Sequence, residues 1–161
     1  MTADDDRIDI RDTRTSDVAA IVDLAEKGAA MTPETSPADT QERRHSHVRG
    51  MVDDATAVSL VATRDDRVCG YLLSMVLPAP PEPSGSGGAG PVGYVTDFAV
   101  AAPDDWWAAG TALLGRARQR LRDMGAERVL VPVDAPDPAK RAFLWRSGLT
   151  LGFERYEARL V

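Results

Sequence analysis

The sequence predicts an α/β protein of the α+β kind: a mixed sheet of six or seven strands with helices on both faces. Three observations predict it. The run Tyr94–Val100 is rich in β-branched and aromatic residues, and it leads past Pro103 into a helical repeat that ends at Gly125. Two strong apolar runs, 57–63 and 68–76, flank the short polar turn Asp65-Asp66-Arg67 and read as an antiparallel hairpin. Shorter amphipathic segments precede and follow these, and the 94–100 strand is expected at the centre of the sheet.

The elements follow in order. Arg7 to Arg11 alternates apolar and charged residues, as a half-buried strand does. Thr15 and Ser16 are expected to cap a helix whose apolar face is Val18, Ile21, Val22 and Ala25. Pro33 and Pro37 break that pattern, and a mostly polar second helix is expected from about Ala38 to Val52. After the hairpin, residues 78–91 read PAPPEPSGSGGAGP, a flexible loop with too little apolar surface to pack. It is either a substrate lid or a tolerated surface insertion, and not a domain boundary. In the central helix Ala109, Leu113, Ala117, Leu121 and Met124 recur at helical spacing, joined by Leu114. Arg128 to Val133 is a buried-type strand in which Pro132 marks an edge or a break in pairing. Asp137 and Pro138 open a last helix, Ala139 to Ser147, that Gly148 ends, and Phe153 to Val161 is expected to close the sheet.

The chain of 161 residues fits one domain over 1–161, and its 43% hydrophobic and 27% charged content is ordinary for a soluble globular protein. No apolar run approaches the ~20 residues that cross a bilayer. The acidic start, MTADDDR, lacks the features of a signal peptide, so a cytoplasmic protein is expected. A lone cysteine, Cys69, excludes an internal disulfide, offers no metal-ligand spacing, and lies inside a strand as a small hydrophobe. The net charge of −6 argues against nucleic acid or an anionic membrane as partner. The first hundred residues are strongly acidic and the rest slightly basic, which suits an anionic cofactor in the C-terminal part and a cationic amine in the N-terminal part. A homodimer is left open.

A strand running into a helix N-terminus is suited to anions, because the first N–H groups of a helix have no internal partners. Here the order Asp97-Phe98-Ala99-Val100, Pro103, then Gly110-Thr111-Ala112-Leu113-Leu114 resembles the cofactor motif of the GCN5-related N-acetyltransferases. The resemblance follows the element order over nearly the whole chain. It implies a mostly antiparallel sheet whose central strand and following strand diverge like a V, with acetyl-coenzyme A entering the gap. The family's Arg/Gln-x-x-Gly-x-Gly/Ala turn falls on Asp105-Trp106-Trp107-Ala108-Ala109-Gly110, where Ala108 replaces the first glycine and Asp105 the basic or amide residue. By this resemblance the cofactor is held by Phe98, Ala99 and Val100 and by Trp106 to Thr111. Asp105, as the helix N-cap bonding the N–H of Trp107 or Ala108, is expected to compete with the pyrophosphate and weaken binding.

The resemblance further implies transfer of an acetyl group to an amine of a small molecule or peptide, with backbone N–H groups at Phe98 or Val100 polarising the thioester carbonyl. Asp97 is the candidate general base, with a structural salt bridge or backbone hydrogen bond as the competing reading. The family's acidic tyrosine falls on Leu144, which leaves Tyr71, Tyr94 and Tyr156 as substitutes with nothing in the sequence to choose among them. Trp106 and Trp107 either pack on the sheet alone or also meet the cofactor. Lys140 and Arg141 either reach its phosphates or form a solvated face. His45 and His47, beside Arg43 and Arg44, are either substrate contacts or part of a solvated basic face, and their spacing does not suit a shared metal. The alternative function is a non-catalytic binding module of the same fold.

Overall fold

Strands β1 (Asp9–Asp12), β2 (Ala57–Arg64), β3 (Arg67–Leu77), β4 (Val92–Val100) and β5 (Arg128–Leu130) form one sheet in that order. The computed structural model describes residues 7–29, 37–78, 90–133 and 137–152. β1 to β4 pair antiparallel and β5 joins β4 parallel, so the sheet is mixed and mostly antiparallel. The described residues hold five strands, where six or seven were expected of the whole chain. The expected last strand, 153–161, and most of the 78–91 loop lie outside the described residues.

The hairpin forms as its pattern requires. Arg64 pairs with Arg67, and the two loop residues, Asp65 and Asp66, both take positive φ, 50° and 58°. That conformation matches the right-handed twist of the strands it joins, and aspartate tolerates it better than most residues.

Four helices cover the sheet. Helices α1 (Val18–Ala29) and α2 (Pro37–Asp53) lie on one face, where Ile21, Val22, Val48 and Met51 pack with Val61, Tyr71 and Leu73. Helices α3 (Ala109–Asp123) and α4 (Pro138–Arg146) lie on the other, where Leu113, Leu114, Ala117, Leu121, Phe143 and Leu144 pack on Val58, Leu60, Leu72 and Phe98. The expected apolar faces of α1 and α3 are buried, except that Met124 falls just past the helix and is exposed. Gly125 then takes φ +93° and lets the chain leave in the left-handed conformation.

Two expected caps differ. Thr15 and Ser16 stay exposed, in a 3-10 turn over Thr15–Asp17. Asp17 instead accepts the backbone N–H of Arg14 at 2.7 Å and a two-pronged bond from Arg11 at 2.7 and 2.8 Å. A carboxylate that satisfies a backbone donor and a guanidinium together outcompetes a hydroxyl cap. At α4 the expectation holds, with the Asp137 carboxylate accepting the Lys140 N–H at 2.9 Å and Pro138 in the first turn.

Candidate active site

The β4–β5 ladder runs only from Val92–Arg128 to Tyr94–Leu130. The expected strand over 128–133 therefore stops at Leu130, and Pro132, two residues on, has no N–H to extend the pairing. Beyond Tyr94, β4 keeps β3 on one side and, among the described residues, opens a gap on the other. The alternation of an antiparallel strand says which groups face it. Ala101 donates to the Cys69 carbonyl across the β3 side at 2.8 Å. The N–H and C=O of Phe98 and of Val100 therefore point into the gap. The Phe98 carbonyl confirms the phase, because it accepts the Lys140 ammonium from α4 at 2.7 Å.

The end of the gap is walled by aromatic rings. Phe98 meets Trp106 edge-on at 4.9 Å, and Trp106 stacks on Phe143 at 5.1 Å and 25°. Lys140 Nζ lies 5.7 Å from the Phe98 ring centre and 5.8 Å from that of Trp106, within cation–π range. Trp107 turns outward, 47% exposed, with the Arg146 guanidinium 5.3 Å from its ring centre. Gly110 is buried under Trp106, and a Cβ there would sit 2.8 Å from the indole, so only glycine lets α3 start this close. The α3 N-terminus carries no side-chain cap: Ala108 is the flanking residue, and Thr111 Oγ1 donates back to the Trp107 carbonyl at 3.0 Å.

Asp105 is not the α3 N-cap, which corrects the expectation for this turn. The helical spacing expected from Trp106 is first a 3-10 turn, Pro103–Trp107, and α3 begins only at Ala109. Asp105 lies inside that turn, 8% exposed, and its carboxylate accepts the Ala102 N–H at 3.1 Å and the Arg64 guanidinium at 2.9 Å. Both bonds draw it back toward β2. Its charge is matched and its oxygens leave the N–H groups of Trp107 and Ala108 alone.

On the opposite face, a bulge re-aims β4. Leu73 pairs with Asp97 and Ser74 with Val95, so Thr96 is the extra residue, and its hydroxyl donates to the Leu73 carbonyl at 3.2 Å. Val95 and Phe98 consequently share the α3 side, while Asp97 and Ala99 turn to the α1/α2 side beside Leu73 and Tyr71. Asp97 is half-buried there. The Tyr71 side chain is fully buried, and its hydroxyl makes no hydrogen bond of full geometry among the described residues, with the Asp97 carboxylate the nearby acceptor. Burial, and next the nearby Asp97 charge, push the Tyr71 phenol well above its ordinary range, while Arg44 on α2 acts the other way. Tyr71 thus stays a neutral hydroxyl near the Asp97 carboxylate. Cys69 is inert for a related reason, since burial raises its thiol.

No protein-family model and no curated protein matches the sequence. Solved structures do. A GCN5-related N-acetyltransferase from Ralstonia eutropha superposes with a TM-score of 0.73 at 17% identity, covering 95% of this chain and 99% of that one. Its fold is that of the GCN5-related N-acetyltransferases. A predicted acetyltransferase from Clostridium acetobutylicum, in a structure with acetyl-CoA, matches with a TM-score of 0.73 at 13% identity over 95% of this chain and 96% of that one. An aminoglycoside acetyltransferase from an uncultured soil metagenomic sample, in complex with sisomicin, gives 0.65 at 19% identity over 96% and 95%.

Within this GCN5-related fold, the residues matched to the cofactor motif gather at one place. Phe98 and Val100 offer backbone to the gap, and Ala109, Gly110 and Thr111 form the first turn of α3. Ala99 faces the other side, Trp106 is buried in the aromatic wall, and Trp107 and Ala108 are exposed at the entrance. Leu144 is buried in the core. His45 and His47 are exposed on α2, as a solvated face would be. Three participants escaped the sequence reading: Arg64 as the partner of Asp105, Lys140 as the ligand of the Phe98 carbonyl, and Arg44 as an inward-facing cation. Only the last left a signal, because Arg44 precedes Val48 by one turn and so continues the buried stripe of α2. No cluster of three or more metal-ligating side chains occurs among the described residues.

Proposed function

We propose that the protein is an N-acetyltransferase that takes the acetyl group of acetyl-coenzyme A and transfers it to an amine of a small molecule or peptide. The observation that carries this reading is the open edge of β4, whose Phe98 and Val100 backbone groups face a gap that ends at the uncapped first turn of α3.

The residues present suit the cofactor. Unpaired strand groups bond a chain of amides as a further strand would, and the first turn of α3 offers donors to phosphate. Asp105, held by Arg64, adds no free negative charge at that turn. Acetyl-coenzyme A supplies an acyl thioester, the activated group to be transferred. The Val100 or Phe98 N–H polarises an acyl oxygen placed in the gap, and fixed backbone donors do so without reorganisation. Asp97, carried to the α1/α2 side by the Thr96 bulge, accepts the proton of an amine arriving from that side. The C–N bond forms as the thioester C–S bond breaks. Leu144 cannot protonate the leaving thiolate, which would take its proton from water, so alignment of the two reactants carries much of the rate, for which ~7–11 kcal/mol is available in well-oriented reactions. Lys140 must yield or share the Phe98 carbonyl when a ligand amide enters.

Titration calorimetry with acetyl-coenzyme A tests this reading, with Val100→Pro as the variant. Proline removes the N–H that faces the gap and spares the ladder to β3. Binding by the wild-type protein that falls about 10-fold or more in Val100→Pro is the expected result. A wild-type protein that does not bind the cofactor sinks the enzyme reading in favour of a binding module, and equal binding by both proteins removes the gap as the site.

A further inference from the structure

Three polar groups on the α1/α2 face of the sheet lack the partners that burial normally demands. Asp97 is half-buried, and no cation pairs with it among the described residues. The Tyr71 hydroxyl is wholly buried, with the Asp97 carboxylate nearby but no hydrogen bond of full geometry among the described residues. Arg44 is half-buried while its helical neighbours Arg43, His45, Ser46 and His47 are all exposed, and no carboxylate among the described residues pairs with it. Arg44 lies one turn before Val48, which packs with Tyr71 on this face, and Asp97 lies on β4 beside the strand that carries Tyr71. Native proteins seldom leave buried polar groups unpaired, and a ligand or ordered water commonly supplies the missing bonds.

We propose that the acceptor is an amine that also carries an anionic group, a carboxylate or a phosphate, with the amine received at Asp97 and the anion at Arg44. This rests on the acetyltransferase reading above and narrows it to a substrate class. The chemistry is complementary at each end. A carboxylate attracts the ammonium form of the incoming amine and then accepts its proton, and a guanidinium offers a planar fork to either type of oxyanion. Tyr71 is a positioning residue: its O–H can donate to Asp97 and hold the carboxylate toward the amine, or to the ligand itself. A neutral amine would leave Arg44 half-buried and uncompensated, and a cationic one would repel it. A site built in this way rejects analogues that lack the recognised group.

The test follows thiol release from acetyl-coenzyme A with matched amines: β-alanine and O-phosphoethanolamine, their neutral counterparts β-alaninamide and ethanolamine, and 1,3-diaminopropane. At equal free-amine concentration, one of the anionic amines should exceed its neutral counterpart by about 10-fold or more in kcat/KM. Whichever of the two does so identifies the anion. Arg44→Gln should erase that margin chiefly through KM, and Arg44→Lys should restore part of it. Thermal melts of both variants check that α2 still docks. A preference for neutral or cationic amines overturns the proposal, as does a margin that survives Arg44→Gln. If the cofactor fails to bind, or no amine is turned over, ligand-observed NMR with the two anionic amines decides separately. Binding that depends on Arg44 upholds the anionic acceptor site while the enzyme reading falls, and binding that ignores Arg44, or no binding, overturns it.

Discussion

The two faces of β4 meet opposite kinds of surroundings. Toward α3 and α4, Phe98 enters a closed aromatic block with Trp106 and Phe143, where even a Cβ on Gly110 would collide with the indole. Toward α1 and α2, Asp97 and the Tyr71 hydroxyl sit in a well-packed layer near each other, with no cation paired to Asp97 among the described residues. One face spends its burial on stability, and the other keeps polar groups in reserve. The difference teaches that a single bulge can reset a strand between these two tasks, since the extra residue Thr96 lets Val95 and Phe98, three apart, share the α3 side and leaves Asp97 on the other.

The comparison can be broken most sharply on the aromatic face. Phe143 is fully buried and touches the rings of Phe98, Trp106 and Trp107. Phe143→Ala should cost about 3–5 kcal/mol in urea unfolding. A loss under about 1 kcal/mol would mean that α4 is not docked as described.

A smaller effect is expected where the α1/α2 layer is fastened to the sheet. The Arg11 hydrogen bond, helped by the Arg14 N–H, holds the Asp17 carboxyl below its ordinary value of 3.8, although burial opposes this. Because the folded value is depressed, the stabilisation is complete above the unfolded value and fades as pH falls through the folded one. Asp17→Asn should cost about 1–3 kcal/mol at neutral pH. Its deficit should narrow steadily between about pH 5 and about pH 2, and a deficit constant over that range would show that the pair contributes nothing through its charge.

The smallest effect separates the two faces most finely. Tyr71→Phe removes a buried hydroxyl that makes no hydrogen bond of full geometry among the described residues, so stability should stay level or rise by up to about 1 kcal/mol. Destabilisation beyond that would reveal a partner for the hydroxyl in the free protein and would weaken the case for an acceptor site there.

Local physics made much of the fold legible. The β2–β3 hairpin, the apolar stripes of α1 and α3, the Asp137 cap and the glycine exits at Gly125 and Gly148 depend on neighbours within a few residues, and the sequence pattern was enough for each. The same is true of the strand end near Pro132, because a missing N–H is a property of the residue itself. Mistakes arose where two groups competed for one donor or acceptor. Thr15 and Ser16 were plausible caps until Arg11 placed Asp17 on the Arg14 N–H.

The sequence by itself determined the order of strands and helices, the buried stripes and the junction at which β4 gives way to α3. Each of these follows from periodicity or from the chemistry of a single residue. Only the tertiary structure decided that Asp105 faces Arg64, 41 positions away, and not the N–H groups of α3. It alone decided that Lys140 reaches the Phe98 carbonyl, 42 positions away, and that Asp97 turns to the side of the sheet that carries Tyr71. These outcomes depend on strand register and helix docking, which set distances between residues far apart in the chain. No local pattern encodes such distances, and for that reason the chemistry of the site became readable only after the sheet had closed around it.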